Sequence, residues 1–176
     1  MKNKKSALVT DCNGDIGFSI CDELSKEGFL IIGTDLDMEA KFDIDFYISC
    51  ELIDFVKNES SRFKFMNSVI QILNENDSIL NVLVNNAGAG ITGPIEEIPH
   101  KEIQRNFDIN FFGPVSMIQT TLPAMRAQNS GLIINITSIA GYMGLPYRGV
   151  YCASKGALEI ITEAFRMEIK DFNIKM

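Results

Sequence analysis

The sequence predicts an α/β fold: a doubly wound parallel sheet with helices on both faces. Two observations predict it. Short, continuous apolar runs alternate with segments of helical periodicity along the whole chain. Runs of that kind suit strands covered on both sides. The first run also passes through a Gly/Asp/Asn turn straight into a helical pattern, which is the start of a βαβ unit. At 176 residues the chain is one domain by length, and its 46% hydrophobic and 22% charged fractions are ordinary for a globular protein.

The elements follow in order. Ala7–Thr10 is an apolar strand. Ile16, Ile20, Cys21 and Leu24 recur at helical spacing, and Gly28 follows as a C-cap. FLIIGTD is a second strand ending at Asp35. Phe42–Leu52 alternates weakly and holds a third strand. Phe63, Met66, Val69, Ile70 and Leu73 mark a helix, and VLVNNAG a strand running into a turn. Ile103, Phe107, Phe111, Val115, Ile118 and Leu122 predict one long amphipathic helix, with Gly113-Pro114 as the point of a kink. Leu132–Ser138 is a fifth strand. Val150 to about Phe172 is the last helix, and the chain stops at NIKM.

Composition excludes several functions. The net charge of −7 argues against nucleic acid or an anionic membrane as partner. Cys12, Cys21, Cys50 and Cys152 have no paired spacing and the lone His100 is near none of them, so no metal site is expected. Reduced thiols, no signal segment and no membrane-length apolar stretch give a cytoplasmic expectation.

Two places carry chemistry. The first is the turn TDCNGDIG, Thr10–Gly17. Between a strand and a helix start, such a turn brings backbone and helix N–H groups to a phosphate, here through Gly14, Asp15, Ile16 and Gly17. Asp35, at the end of the second strand, is placed to accept from the hydroxyls of an adenosine ribose. Its carboxylate would repel a 2′-phosphate, which favours NAD over NADP; a solvated loop acid is the plain alternative. The second place is GVYCASKGAL. Tyr151 and Lys155 stand four apart, on one face of a helix. Unperturbed, they titrate near about 10 and 10.4. A neighbouring ammonium stabilises tyrosinate, so the phenol can work as an acid or base closer to neutrality.

These motifs together resemble the short-chain dehydrogenase/reductase family. That family has TGxxxGxG in the first turn, NNAG after the fourth strand, an Asn in the next helix, a Ser after the fifth strand, and YxxxK. Here Gly17, Asn85-Asn86-Ala87-Gly88, Asn110, Ser138, and Tyr151 with Lys155 stand in that order. GPIEEIP, FDINFFGP and GLPYRGVYCASKGALE look most like the branch of steroid and retinol dehydrogenases. The resemblance implies a Rossmann-type dinucleotide-binding domain over residues 1–176. It implies hydride transfer between a nicotinamide cofactor and an alcohol or ketone. Tyr151 would be the general acid/base, Lys155 would also bind the nicotinamide ribose, Ser138 would hold the reacting oxygen, and Asn110 would anchor a proton-relaying water. Asn86, Ala87 and Gly88 would line the cofactor, with a purely structural hydrogen bond from Asn86 to loop backbone as the alternative. A homo-oligomer through the Asn110 and Tyr151 helices is implied too.

There are departures. The family's first glycine is Asp11 here, and its second falls at Asp15 beside Gly14. A carboxylate about 5 Å from a pyrophosphate charge costs roughly 3 kcal/mol at an effective dielectric of 20, about a hundredfold in affinity. Family members commonly run longer, so the resemblance implies missing C-terminal strands and an incomplete substrate lid. A truncated form that only binds dinucleotide, or a helix-mediated dimerisation module, are the alternatives to an active enzyme. Met143, Leu145, Pro146 and Tyr147 suggest an apolar pocket wall for a lipophilic alcohol or ketone, or ordinary loop packing. Glu51, after the third strand, is expected at the surface, with an approach to adenine as the alternative.

Overall fold

The computed structural model describes residues 4–176, so residues 1–3 of the basic N-terminus lie outside the described part. Six parallel strands form one sheet in the order β3-β2-β1-β4-β5-β6. They are β1 (Lys4–Thr10), β2 (Leu30–Asp35), β3 (Phe46–Ser49), β4 (Ser78–Asn85), β5 (Gly131–Asn135) and β6 (Ile174–Lys175). The helices are α1 (Asp15–Lys26), α2 (Leu52–Lys57), α3 (Glu59–Glu75), α4 (His100–Phe107), α5 (Gly113–Ala127) and α6 (Gly149–Ile169).

The alternation of the central strands divides the core in two. Leu8, Ile32, Leu83 and Ile133 point to one face and pack with Phe55, Phe65, Val69, Met117, Ile118 and Ile169 from the helices. Ala7, Val9, Ile31, Val82 and Val84 point to the other and pack with Cys12 and Cys21. Among the described residues, that second face carries only α1 and the loop holding Phe42 and Ile44. Over β4 and β5 it is an open apolar groove lined by Ile16, Ile20, Leu24, Val84, Ile134 and Ile136. The expected cover of helices on both faces is thus unequal, and the apolar face of α1 turns Ile16 outward, at 60% exposure.

Several boundaries differ from the sequence reading. The third strand is only Phe46–Ser49, and the short helix α2 after it has no sequence signal of its own length. Phe63 and Ile70 do lie on α3 but are exposed, because Phe65, Val69 and Leu73 take its buried face. The fifth strand ends at Asn135, three residues before Ser138. The single long helix is two, α4 and α5, joined by a π-helical turn, Asp108–Phe112. Gly113-Pro114 directly follows that turn: the backbone stays right-handed helical through Phe112 and Gly113, and the proline, with no N–H to donate back into the turn, stands at the change from π to α hydrogen bonding. The terminal NIKM does form a strand: β6 pairs Ile174 with Gly131 and Lys175 with Leu132, covering the first two residues of the β5 edge.

Gly28 ends α1 as expected. At φ +81° it occupies the left-handed region, and Phe29 N–H reaches the Leu24 carbonyl at 3.0 Å while Gly28 N–H reaches Ser25 at 2.9 Å. This is a Schellman closure. Gly17 is required for a different reason. A Cβ there would lie 1.9 Å from the Asp11 carbonyl oxygen, so helix α1 can approach the turn only without a side chain. Gly17→Ala is expected to destabilise the fold by about 2 kcal/mol, within the range for overpacking. A urea midpoint unchanged from wild type would contradict the contact.

Candidate active site

The site lies at the carboxyl ends of the strands, where an open α/β sheet presents ligands. Two cavities meet there. One is lined by Asp35, Leu36, Glu51, Leu52 and Arg105, the other by Asp15, Asn86, Thr137, Arg148, Tyr151 and Lys155. Asp11, Gly88 and Ala89 line both, so they mark the junction.

Strand β1 delivers the turn. Asp11 has φ 54°, the conformation glycine would adopt easily and Asp tolerates better than most. Asn86 Nδ2 donates to both the Asp11 carboxylate, at 3.1 Å, and the Asp11 carbonyl, at 3.2 Å. On the other side, a Cβ at Gly14 would come within 2.9 Å of that carboxylate. The carboxylate therefore lies over the glycine turn. Burial, and then the nearby charge of Asp35, push its pKa up to about 6, against the pull of Lys41 and the Asn86 hydrogen bond. Asp15 is exposed in the first turn of α1, and Gly14 is its N-cap.

Asp35 stands where the sequence placed it, at the end of β2. Its carboxylate accepts from Asn13 N–H at 3.0 Å and from Leu36 N–H at 2.6 Å. Asn13 was not singled out in the sequence, yet its side chain ties the turn to the following loop, donating to Asp37 at 3.0 Å and to the Glu39 carbonyl at 3.1 Å. Thr10 was missed as well. Its Oγ1 accepts from both Asn86 and Ala87 N–H at 3.0 Å, and so fixes the NNAG turn to β1. A Thr ending a strand gives no sign of a partner 76 residues away. Glu51 is exposed, as expected, but lines the first cavity.

Asn110 sits in the π-helical turn, fully buried. Its Oδ1 accepts from Ala89 N–H at 2.8 Å, and its Nδ2 donates to the Ala89 carbonyl at 2.9 Å and to Ser154 Oγ at 3.0 Å. The extra residue of a π turn aims this side chain inward. Ser154 in turn donates to the Tyr151 carbonyl at 2.8 Å, which links the Asn110 turn to the first turn of α6.

Tyr151 and Lys155 both face the second cavity from α6. Lys155 is 3% exposed, and its Nζ donates to the Ile136 carbonyl at 2.8 Å. Burial lowers its pKa. The small residues around it do permit close packing: a Cβ at Gly156 would lie 3.1 Å from the Gly141 carbonyl. Arg148 places its guanidinium 5.8 Å from the Tyr151 ring centroid. Ser138 caps the short 3-10 helix Ile139–Gly141, its Oγ accepting from Ala140 N–H at 3.2 Å, and it is Thr137 that lines the cavity wall. The apolar segment before α6 goes elsewhere. Leu145 and Tyr147 line a separate recess with Pro94, Ile95 and Ile98, and the Tyr147 carbonyl accepts from Gly93 N–H at 2.8 Å. None of Met143, Leu145, Pro146 and Tyr147 lines the Tyr151 cavity.

The pattern of the short chain dehydrogenase family matches residues 5–176. The chain belongs to the short-chain dehydrogenase family. Among relatives of this family, it is 36% identical to a 3-ketodihydrosphingosine reductase of Bacteroides thetaiotaomicron over 169 residues, 96% of this chain and 60% of that protein. It is 31% identical to human retinol dehydrogenase 8 over 173 residues, covering 97% of this chain and 56% of that one. The chain thus spans about 60% of the length of these relatives. Among solved structures, NAD+-bound xylitol dehydrogenase aligns with a TM-score of 0.85 at 28% identity, over 99% of this chain and 68% of that one. A metagenomic short-chain oxidoreductase in complex with NADP aligns with a TM-score of 0.85 at 26% identity, over 97% and 77%. The steroid and retinol branch read from the motifs agrees with these relatives. Among the described residues, no helix is long and apolar enough to cross a membrane, and no group of three or more His, Cys, Asp or Glu could hold a metal ion.

Asp35 in one cavity and Tyr151 with Lys155 in the other suit the two ends of a nicotinamide dinucleotide. Gly88 is a cradle: a Cβ there would lie 3.3 Å from Lys155 Nζ and 3.5 Å from Asn110 Oδ1, filling the floor between the two cavities. At the middle the fit is contested by the Asp11 and Asp15 carboxylates.

Proposed function

We propose that this chain carries the catalytic core of a nicotinamide-dependent oxidoreductase that interconverts an alcohol and a ketone, with NAD(H) preferred. The observation that carries this reading is the pairing of Tyr151 and Lys155 on one face of α6, opening on a cavity that shares Asp11, Gly88 and Ala89 with the one that holds Asp35. The bound dinucleotide supplies or takes the hydride. The chain's own residues bind, orient and move the proton. The Tyr151 phenol exchanges a proton with the substrate oxygen. Lys155, held by the Ile136 carbonyl and lining the same cavity as Tyr151, would supply positive charge toward the phenol and bind the ribose. Asn110 and Ser154 hold the π turn and the start of α6 in register, which keeps Tyr151 aimed at the cavity. Ser138, next in the chain to the cavity-lining Thr137, accepts from Ala140 N–H and keeps its own hydroxyl proton, which it would donate to orient the reacting oxygen. The names of the relatives, a ketosphingoid reductase and a retinol dehydrogenase, support a lipophilic substrate.

The test is calorimetric titration of the purified chain with NADH and NADPH, followed by a turnover assay with lipophilic ketones. NADH should bind about tenfold or more tightly than NADPH, because the Asp35 carboxylate opposes a 2′-phosphate. Equal affinities would remove Asp35 as the selecting residue. Binding without turnover of any ketone would favour a dinucleotide-binding protein over an enzyme.

A further inference from the structure

We propose that Asp11 is a proton-carrying ligand of the dinucleotide: its carboxyl group, in the neutral form, donates a hydrogen bond to the pyrophosphate, so that the site takes up a proton as it binds. The proposal rests on the nicotinamide-dinucleotide reading above. Its basis is position. Asp11 is one of the three residues shared by the two cavities, and a dinucleotide that occupies both must pass its pyrophosphate over that junction. The side chain cannot easily leave. The backbone is held in the left-handed region at φ 54°, and Asn86 grips both the carboxylate and the carbonyl of the same residue.

The charges around Asp11 do not neutralise it. Among the described residues no cation forms an ion pair with it. From the loop after β2, Lys41 is near, but its Nζ is bonded to Asp37 at 2.8 Å. From β2, Asp35 adds negative charge on the side of the first cavity, and Asp15 at the start of α1 lines the second. Glu51 and Arg105 line the first cavity with opposite charges, and Arg148, just before α6, and Lys155 within it line the second. Cys12 beside it is a buried thiol whose pKa is pushed up to about 12, so it stays neutral.

Magnitudes decide which form binds. An ionised Asp11 beside a pyrophosphate costs about a hundredfold in affinity. A group titrating near 6 costs only about tenfold to protonate at pH 7. The protonated complex is therefore favoured at neutral pH, and the same hundredfold moves the titration of Asp11 from about 6 in the free chain to about 8 in the complex.

The experiment is calorimetric titration of the whole chain with NADH at pH 6, 7 and 8, each in two buffers of different ionisation enthalpy. About 0.8 proton should be taken up per NADH at pH 7, and affinity should weaken about 25-fold from pH 6 to pH 8. Asp11→Asn keeps the shape, the hydrogen-bond donor and the tolerance of positive φ. It should bind with no linked proton, and at pH 8 about fiftyfold more tightly than wild type. Wild-type binding that is flat with pH and takes up no proton would overturn the proposal and leave the dinucleotide reading standing. So would binding by Asp11→Asn when wild type binds at no pH, since Asp11 would then exclude the ligand in both forms. If neither protein binds NADH at any pH, the dinucleotide reading itself fails, and this proposal with it.

Discussion

Tyr151→Phe is expected to lower turnover by about a thousandfold, in the middle of the range for loss of a general acid or base. NADH affinity should change by no more than about twofold. The ring stays, so the packing of α6 and the contact with Arg148 stay, and only the proton-carrying oxygen is lost. The neighbouring supports are independent of that oxygen. Lys155 remains bonded to the Ile136 carbonyl, and Asn110 remains bonded to Ala89 and Ser154. A fall in kcat with an unchanged dissociation constant is therefore the specific signature. Wild-type turnover in the variant would exclude Tyr151 from proton transfer. A parallel loss of NADH binding would mean that the hydroxyl acts on the cofactor, not on the substrate.

Asp11→Asn should stabilise the fold at alkaline pH and leave it unchanged in acid. In the folded chain Asp11 titrates near 6, above the 3.8 of an unperturbed carboxyl, so the folded state holds its proton more tightly than the unfolded one. That contribution is full below about pH 4, fades as pH rises through 6, and is absent at pH 8, where the ionised carboxylate stands half-buried near Asp35. The upper bound is about 3 kcal/mol for a shift of about two pH units, and solvent reaching the side chain reduces it to about 1–2 kcal/mol. Urea unfolding of both proteins at pH 4 and pH 8 measures it. An equal difference at the two pH values would show that the effect comes from packing or backbone and not from the charge.

Much of the site could be read before any coordinates. Gly17, Asp35 and the Tyr151–Lys155 pair could be read from a strand–turn–helix alternation and helical spacing, whereas the NNAG turn and Asn110 were legible only through the resemblance to the family. Asp35, Asn86, Ala87, Gly88, Tyr151 and Lys155 line the two cavities, and Asn110 supports them through Ala89. The supports between elements could not be read. Thr10 to Asn86 and Ala87, Asn13 to the loop after β2, and Ser154 to Asn110 are hydrogen bonds between small polar residues with no periodic signal. The π turn was hidden for a related reason. Apolar residues at three- and four-residue spacing run through Phe107 and Phe111 without a break, and the wider turn appears only in the backbone hydrogen bonds.

By itself, the sequence determined the fold class, the parallel order implied by alternating strands and helices, the family, and the identity of the chemical groups. The fold class follows from local periodicity, and the family and its chemical groups follow from the ordered motifs that resemble that family. The tertiary structure alone decided how Asp11 is held, which wall residue replaces Ser138 at the cavity, where the apolar segment before α6 goes, and which face of the sheet stays open. Each of those depends on contacts between residues distant in the chain, where burial and electric field are set by what packs nearby and not by what precedes it.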